Sequence, residues 1–186
     1  IKGDGLMKDG PTGQPPSIQA RGLYKSFGGG PVLRNLDLDI GPGERLVLFG
    51  GNGSGKTTLV KVLATLARPD AGVVTVAGFE ARKQGPLLRS RIGVVTHQPL
   101  LYDELTGQEN LQFYGRMYHV PNLKERIALV ANQMGVIHHL SAKVRTMSHG
   151  TQKRLSLARA LLHDPPVLLL DEPETGLDQE ALGLMD

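Results

Sequence analysis

Eight consecutive residues, Gly50-Gly51-Asn52-Gly53-Ser54-Gly55-Lys56-Thr57, combine the types that hold a chain of phosphates, in the pattern G-x-x-x-x-G-K-[ST]. Glycines at this spacing let backbone N–H groups turn toward one concave spot and cradle phosphate oxygens. Lys56 brings a compact positive charge to the β- and γ-phosphates, and the Thr57 hydroxyl suits Mg²⁺. Thr58, next along, belongs to the same phosphate-binding set. A second stretch, Val167-Leu168-Leu169-Leu170-Asp171-Glu172, is a wholly apolar run that ends in two carboxylates. Such a strand, buried on both faces, delivers charge to its carboxyl end, where α/β sheets bind ligands. Asp171 is then assigned to hold Mg²⁺ through water, and Glu172 to polarise the water that attacks the γ-phosphate.

The elements that must position these groups are legible nearby. Arg45 to Phe49 reads as a strand running into the glycine loop. Lys56 to Ala67 reads as a helix, with Leu59, Val62, Leu63 and Leu66 at i, i+3, i+4 and i+7. Its N-terminal partial positive charge would face the anion. Upstream, residues 1–17 are rich in Gly, Pro and Lys without periodicity and are expected to be a disordered leader, with Met7 as the expected start of the native chain. Ile18 to Tyr24 reads as a strand, Phe27 to Pro31 as a turn, and Leu36, Leu38 and Ile40 alternate with Asp37 and Asp39 as a half-buried strand does. Further strands are expected at Val73 to Val76 and Ile92 to Thr96. Thr106-Gly107-Gln108-Glu109 is a capping box that opens a helix ended by Pro121. Asn122 resembles a second cap, Gly135 a stop, and Gln152 to Leu162 a further helix.

Composition narrows the classes of function. The 186 residues amount to one domain with a real core. With no cysteine, neither disulfides nor thiolate metal sites arise. The net charge of +3 is mildly basic, but the basic residues come in scattered pairs, and four Phe, four Tyr and no Trp offer bases little to stack on. Nucleic acid is therefore not an expected partner. No apolar run approaches a membrane span. The chain is expected to be cytoplasmic, reaching a membrane only through a partner.

Beyond these two stretches, Asp171-Glu172-Pro173 followed by Thr175-Gly176-Leu177-Asp178 closely resembles the Walker B and D-loop of ABC-type ATPases. Ser148-His149-Gly150-Thr151-Gln152-Lys153-Arg154 resembles their signature, and Gln98 stands where their Q-loop glutamine does. The resemblance runs from about Ile18 to the end of the chain. It implies an α/β P-loop NTPase core of RecA-like type, residues 18–97 and 152–186, with an N-terminal antiparallel β subdomain and a helical insert, 98–151, that carries the signature. It also implies that ATP and Mg²⁺ are bound. Phe27 would stack on adenine, Thr57, Gln98 and Asp171 would serve the metal, and Asp178 would lie at the nucleotide. Two such domains would dimerise head to tail, with Ser148 and Gly150 of one contacting the γ-phosphate held by Lys56 of the other. Gln98 would couple that phosphate to the helical insert, which grips a membrane-embedded permease subunit on the inner face of the membrane. No covalent intermediate is needed, since positioning and electrostatics carry phosphoryl transfer to water.

Two departures stand out. The signature reads Met147-Ser148-His149-Gly150-Thr151, where the family commonly has Leu-Ser-Gly-Gly-Gln. His149 adds bulk and a group able to titrate beside a phosphate, and a plain solvent-facing position is the competing reading. The family's switch histidine lies beyond Walker B, whereas His97, His119, His138, His139 and His163 all precede it. The chain is accordingly expected to be a fragment with weak ATP binding and poor turnover. The texture around Thr96-His97-Gln98-Pro99 and Phe113-Tyr114-Gly115 resembles export-type subunits, above all the haem exporter ATPase of cytochrome c maturation, with drug and polysaccharide exporters close behind. A soluble ABC ATPase acting on ribosomes or DNA, or a nucleotide-binding module without catalysis, are the readings from other classes. A nicotinamide site fails because G-x-G-x-x-G would need glycine at 56, which is Lys56.

Overall fold

The computed structural model describes residues 15–171. Most of the expected leader, together with Glu172 and the Asp178 stretch, lies outside the described residues. The chain divides into two compact units, residues 1–92 and 93–186.

In the first unit, β1 (Ile18–Phe27) pairs antiparallel with β2 (Gly30–Ile40), closed by the two-residue turn Gly28-Gly29. On its other edge β1 pairs antiparallel with β3 (Ala71–Val76), and β3 with the short β4 (Phe79–Glu80), giving the order β2-β1-β3-β4. The half-buried strand read from the alternation at 36–40 is therefore present as part of β2, and the N-terminal antiparallel sheet that the resemblance implied is formed. Ile18, Ala20, Leu23, Leu33, Leu36, Ile40, Val74 and Val76 are buried. Helix α1 (Lys56–Leu63), which buries Leu59, Val60, Val62 and Leu63, packs on β2.

Helix α1 is one turn shorter than its apolar spacing implied. Thr65 takes φ 60°, and the N–H groups of Leu66 and Ala67 both fold back to the Lys61 carbonyl. This closes the helix in the manner of a left-handed C-terminal cap. Leu66 is consequently 52% exposed and does not extend the buried face. The larger correction is Arg45 to Phe49, which forms no strand: Leu46, Val47 and Phe49 are 44%, 63% and 87% exposed. Backbone polar groups make a strand only where a neighbour takes them, and an apolar run does not supply that neighbour. The polar segment after β4 contains a single short helix, α2 (Gly85–Arg89).

In the second unit, β5 (Ile92–Val95) and β6 (Val167–Leu170) are hydrogen-bonded neighbours. Between them run α3 (Gly107–Met117), α4 (Leu123–Gln133), the 3₁₀ turns Ile137–His139 and Val144–Thr146, and α5 (His149–Leu161). Leu111, Ile127, Val130, Ala131, Val144, Leu155, Leu157 and Leu162 form their common core with Val95. The capping box at α3 forms as expected: Thr106 Oγ1 accepts from the Glu109 N–H at 3.1 Å, and Glu109 accepts from the Thr106 N–H at 2.7 Å. The Thr106 N–H, together with the Thr106 hydroxyl at 2.8 Å, holds the Glu109 carboxyl below its ordinary pKa. The second expected cap differs, because Asn122 sits in the left-handed region (φ 46°) with no side-chain bond to the helix it precedes. Arg126 of α4 closes the far end of α5 instead, donating to the carbonyls of Leu161 (2.7 Å) and Leu162 (3.0 Å). A guanidinium there meets both the unpaired carbonyls and the negative end of the helix dipole.

Two tests follow from this packing. A Cβ added to Gly93 in β5 would lie 2.6 Å from the Ala160 carbonyl oxygen and 2.8 Å from Leu168 Cδ1. Gly93→Ala is expected to cost about 1–3 kcal/mol by overpacking, read from urea unfolding. Asp70 accepts from Lys25 Nζ (2.7 Å), the Ser26 N–H (2.7 Å) and Ser26 Oγ (2.9 Å). With Lys25 the main cause, its pKa falls from 3.8 to about 2. The folded state thus favours the ionised form, so the stabilisation is present above pH 4 and is lost as pH falls from about 4 to 2. Asp70→Asn should remove that part of the acid-unfolding curve and leave its shape above pH 5 unchanged.

Candidate functional site

The glycine loop is built by local geometry in the first unit. Gly55 takes φ 99° as the residue that caps α1. A Cβ there would also press on Val32 Cγ1 at 3.0 Å and the Val32 carbonyl at 3.3 Å. Both the left-handed backbone and the contact with β2 demand glycine. The Ser54 N–H turns back to the Gly51 carbonyl at 3.3 Å, and the Leu59 N–H takes the Gly55 carbonyl at 2.8 Å as the first bond of α1. The side chain of Lys56 folds across the loop. Its ammonium donates to the Gly50 carbonyl, to the Gly51 carbonyl at 3.0 Å and to Ser54 Oγ at 3.4 Å. Those acceptors are neutral. Exchanging them for phosphate oxygens would replace neutral bonds with charge-assisted ones, which are about twice as strong. Thr57 and Thr58 follow in the first turn of α1, both half-buried.

Phe27 ends β1 with its side chain 54% exposed, leaving ring surface available for a base. Lys25 Nζ lies 5.2 Å from the Phe27 ring centroid while bonded to Asp70, so the ring is oriented by a held cation.

In the second unit, Asp171 directly follows β6 and is 5% exposed. Its N–H donates to the Val95 carbonyl, the last residue of β5, at 2.9 Å. The two strands therefore end side by side. Gln98, three residues beyond Val95, has an exposed side chain, while its carbonyl accepts from Thr96 Oγ1 at 2.6 Å. Asp171 and the Gln98 segment thus emerge at one end of the β5–β6 pair, as a strand-end site requires. Among the described residues no cluster of three or more His, Asp or Glu side chains could hold a metal. In this unit the Asp171 carboxylate and the Gln98 amide oxygen are hard oxygen donors of the kind that suits Mg²⁺, as the Thr57 hydroxyl is in the first unit.

The signature residues begin a helix that starts three residues before the expected start at Gln152. Ser148 is the N-cap of α5: its Oγ accepts from the Thr151 N–H at 3.2 Å and lies 2.9 Å from Thr151 Oγ1. His149 and Gly150 occupy the first turn, His149 exposed and Gly150 half-buried. Gln152 fastens this end from behind, donating to the carbonyls of Val144 (3.1 Å) and Met147 (3.2 Å). Glu172 and Asp178 lie outside the described residues. Sequence reading missed the side chains that hold the backbone around Gln98, namely Asn110, Tyr114, Ser156 and Arg159. The available signal was a pair of polar residues at i and i+3, Ser156 and Arg159, set among Leu155, Leu157, Ala158 and Ala160.

Comparison with known proteins bears on the same residues. A family model described as ABC transporter matches residues 33–175. The Nod factor export ATP-binding protein I of Azorhizobium caulinodans is 36% identical over 178 residues, 95% of this chain and 56% of the relative. The ABC transporter ATP-binding protein NatA of Bacillus subtilis is 40% identical over 150 residues, 79% of this chain and 61% of that protein. The chain thus spans a little over half the length of these curated relatives. Among solved structures, a dimeric ATP-binding cassette in a post-hydrolysis state bound to ADP and phosphate aligns with a TM-score of 0.83 at 25% identity, covering 90% of this chain and 81% of the other. The cbiO1 protein of Clostridium perfringens, part of a transporter complex, aligns with a TM-score of 0.75 at 26% identity, covering 92% and 72%.

Removing the α5 cap isolates its structural share. Ser148→Ala is expected to cost about 1 kcal/mol in urea unfolding, as loss of an N-cap does, while Ser148→Asp should stay near the unaltered stability.

Proposed function

Because the chain belongs to the ABC transporter ATP-binding family and shares the cassette fold of its structural relatives, we propose that it binds and hydrolyses ATP to drive export by a membrane-embedded partner. The observation that carries this reading is the glycine loop, with Gly55 capping α1 and the Lys56 ammonium already held across the loop by carbonyl groups that a phosphate would displace.

In this reading Phe27 stacks on the adenine. The amides of Gly50 to Thr58 and the Lys56 ammonium hold the β- and γ-phosphates and stabilise the charge that spreads over the transferring phosphoryl group. Thr57, Gln98 and Asp171 would hold Mg²⁺, which would supply positive charge against the phosphates. Glu172 accepts a hydrogen bond from the attacking water and takes its proton as the bond between the γ-phosphorus and the bridging oxygen breaks, leaving ADP and phosphate. Ser148 and Gly150 present the positive end of α5 to the γ-phosphate of a second copy, and Asp178 lies at that shared nucleotide. The catalytic core takes in residues 18–97 and 152–186, and 98–151 form the helical part that meets the permease.

Among the described residues no helix is long and apolar enough to cross a membrane, which fits attachment at the inner face of the membrane through the permease. The cbiO1 relative, named as part of a transporter complex, supports that arrangement, and the dimeric cassette supports a paired one. Relatives named for Nod factor export and for daunorubicin and linearmycin resistance support export of a small organic cargo. Haem is the narrower cargo, resting on the runs Thr96-His97-Gln98-Pro99 and Phe113-Tyr114-Gly115 alone.

Phosphate release from ATP tests the assignment. Lys56→Ala should lower turnover by roughly 10²-fold or more, the scale of losing a charged contact to the transition state. Glu172→Gln should keep ATP bound, measured with a fluorescent analogue, while turnover falls by a similar factor. Turnover unchanged in Glu172→Gln would remove that carboxylate from its role.

A further inference from the structure

The backbone on both sides of Gln98 is held by side chains that the chemistry proposed above does not use. From α5, Arg159 Nη2 donates to the Val94 carbonyl and Ser156 Oγ to the Pro99 carbonyl at 2.7 Å. From α3, the Tyr114 hydroxyl donates to the Leu100 carbonyl at 2.7 Å. Asn110 clamps Tyr102 twice, accepting from its N–H at 2.8 Å and donating to its carbonyl at 3.0 Å. Four carbonyls within nine residues thus accept from helix side chains. The two sets of anchors also meet: the Arg159 guanidinium lies 5.2 Å from the centroid of the Tyr114 ring.

Arg159 is the costly member of the group. It is 6% exposed, and its Nε has no hydrogen-bond partner among the described residues. Burial pushes its pKa below the ordinary arginine value, opposed by the neighbouring tyrosines. An apolar side chain of similar volume would fill this space without the penalty of burying a charge. The compensation in place is the bond to Val94, at the start of the segment that leads to Gln98. Ser156 reaches the residue directly after Gln98, so α5 holds the glutamine from both sides. Ser148 caps the other end of the same helix, about 12 Å away at 1.5 Å per residue.

We propose that Ser156 and Arg159 are positioning residues that tie the Gln98 segment to α5, so that the glutamine and the Ser148 end of the helix move as one body. The tie itself stands on the geometry, and its use in turnover rests on the ATPase reading. In that reading Gln98 senses the nucleotide of its own chain and Ser148 that of a second copy. A rigid link between them lets occupation of one nucleotide site reset the geometry offered to the other.

Amide exchange by mass spectrometry on the full chain tests the link, using Ser156→Ala, Arg159→Met and Arg159→Lys. Ser156→Ala and Arg159→Met should speed exchange across residues 96–102 by about fivefold or more, with the 123–133 peptide of α4 unchanged, because the effect is local rather than global. Arg159→Lys keeps a cation and a donor for Val94 and should restore slow exchange. In the ATPase assay, the first two variants should lower kcat by about tenfold with the KM for ATP held within about twofold, as misplacement of a group near the chemistry does. Unchanged exchange at 96–102, equal acceleration in α4, or an unchanged kcat would each overturn the proposal. If the unaltered chain hydrolyses no ATP, the ATPase reading fails, and the exchange pattern still decides whether the tie exists.

Discussion

A helix of ordinary length leaves backbone N–H groups at its start and carbonyls at its end without intrahelical partners, and a strand that stops leaves the same debt at its tip. Much of this structure is arranged around how those groups are occupied. At the start of α1 they lie beside the glycine loop, where Gly55 is the cap and supplies no side-chain acceptor. At the start of α5 the Ser148 hydroxyl takes the Thr151 N–H. The tips of β5 and β6 are joined by the Asp171 N–H and the Val95 carbonyl, and helix side chains bond β5 at Val94 and the chain beyond it at Pro99 and Leu100. The candidate binding residues therefore sit where backbone groups are left over, so site and scaffold draw on one set of hydrogen bonds.

The same accounting explains how the glycine loop is held together. A lysine ammonium at the mouth of a loop is either solvated or finds acceptors, and Lys56 finds the carbonyls of Gly50 and Gly51. These bonds keep the charge at the mouth of the loop at little cost in reach. Their neutrality makes them the weaker set once an anion arrives. Asp70 plays a related part further off. By engaging Lys25 and Ser26 together it fixes the end of β1, and with it the cation that lies on the Phe27 ring.

Much of this was legible in residue types and periods, and the failures share a cause. The Thr106–Glu109 capping box was readable because the pattern contains its own partners, and the alternation at Leu36, Leu38 and Ile40 because a period of two marks a strand with one buried face, though not its neighbour. Arg45 to Phe49 was misread because a strand needs a neighbour that its sequence does not name. Helix α1 ends before Leu66 because Thr65 adopts a left-handed backbone, which its residue type does not announce. Asn122 looked like a side-chain cap, yet it serves through a left-handed backbone. The start of α5 was placed late because hydrophobic spacing begins only at Leu155, whereas the cap is a serine hydroxyl seven residues earlier. The side chains around Gln98 were invisible for a different reason, since Ser156 and Arg159 have meaning only once Val94 and Pro99 are beside them.

The departure at His149 can be weighed in the same terms. Glycine in the body of a helix costs several tenths of a kcal/mol or more relative to most other residues, and its penalty comes from backbone freedom lost on folding. Histidine in the first turn of α5 restricts that freedom before folding and so favours the helix that presents Ser148. Nothing in the capping geometry opposes it, because the bonds run from the Ser148 hydroxyl to Thr151 and the His149 side chain is exposed. Gly150 retains the small position next along, where a close approach of backbone to an anion would need it. The substitution therefore trades bulk at an exposed position for a better-defined helix start, and leaves the cap and the following glycine in place.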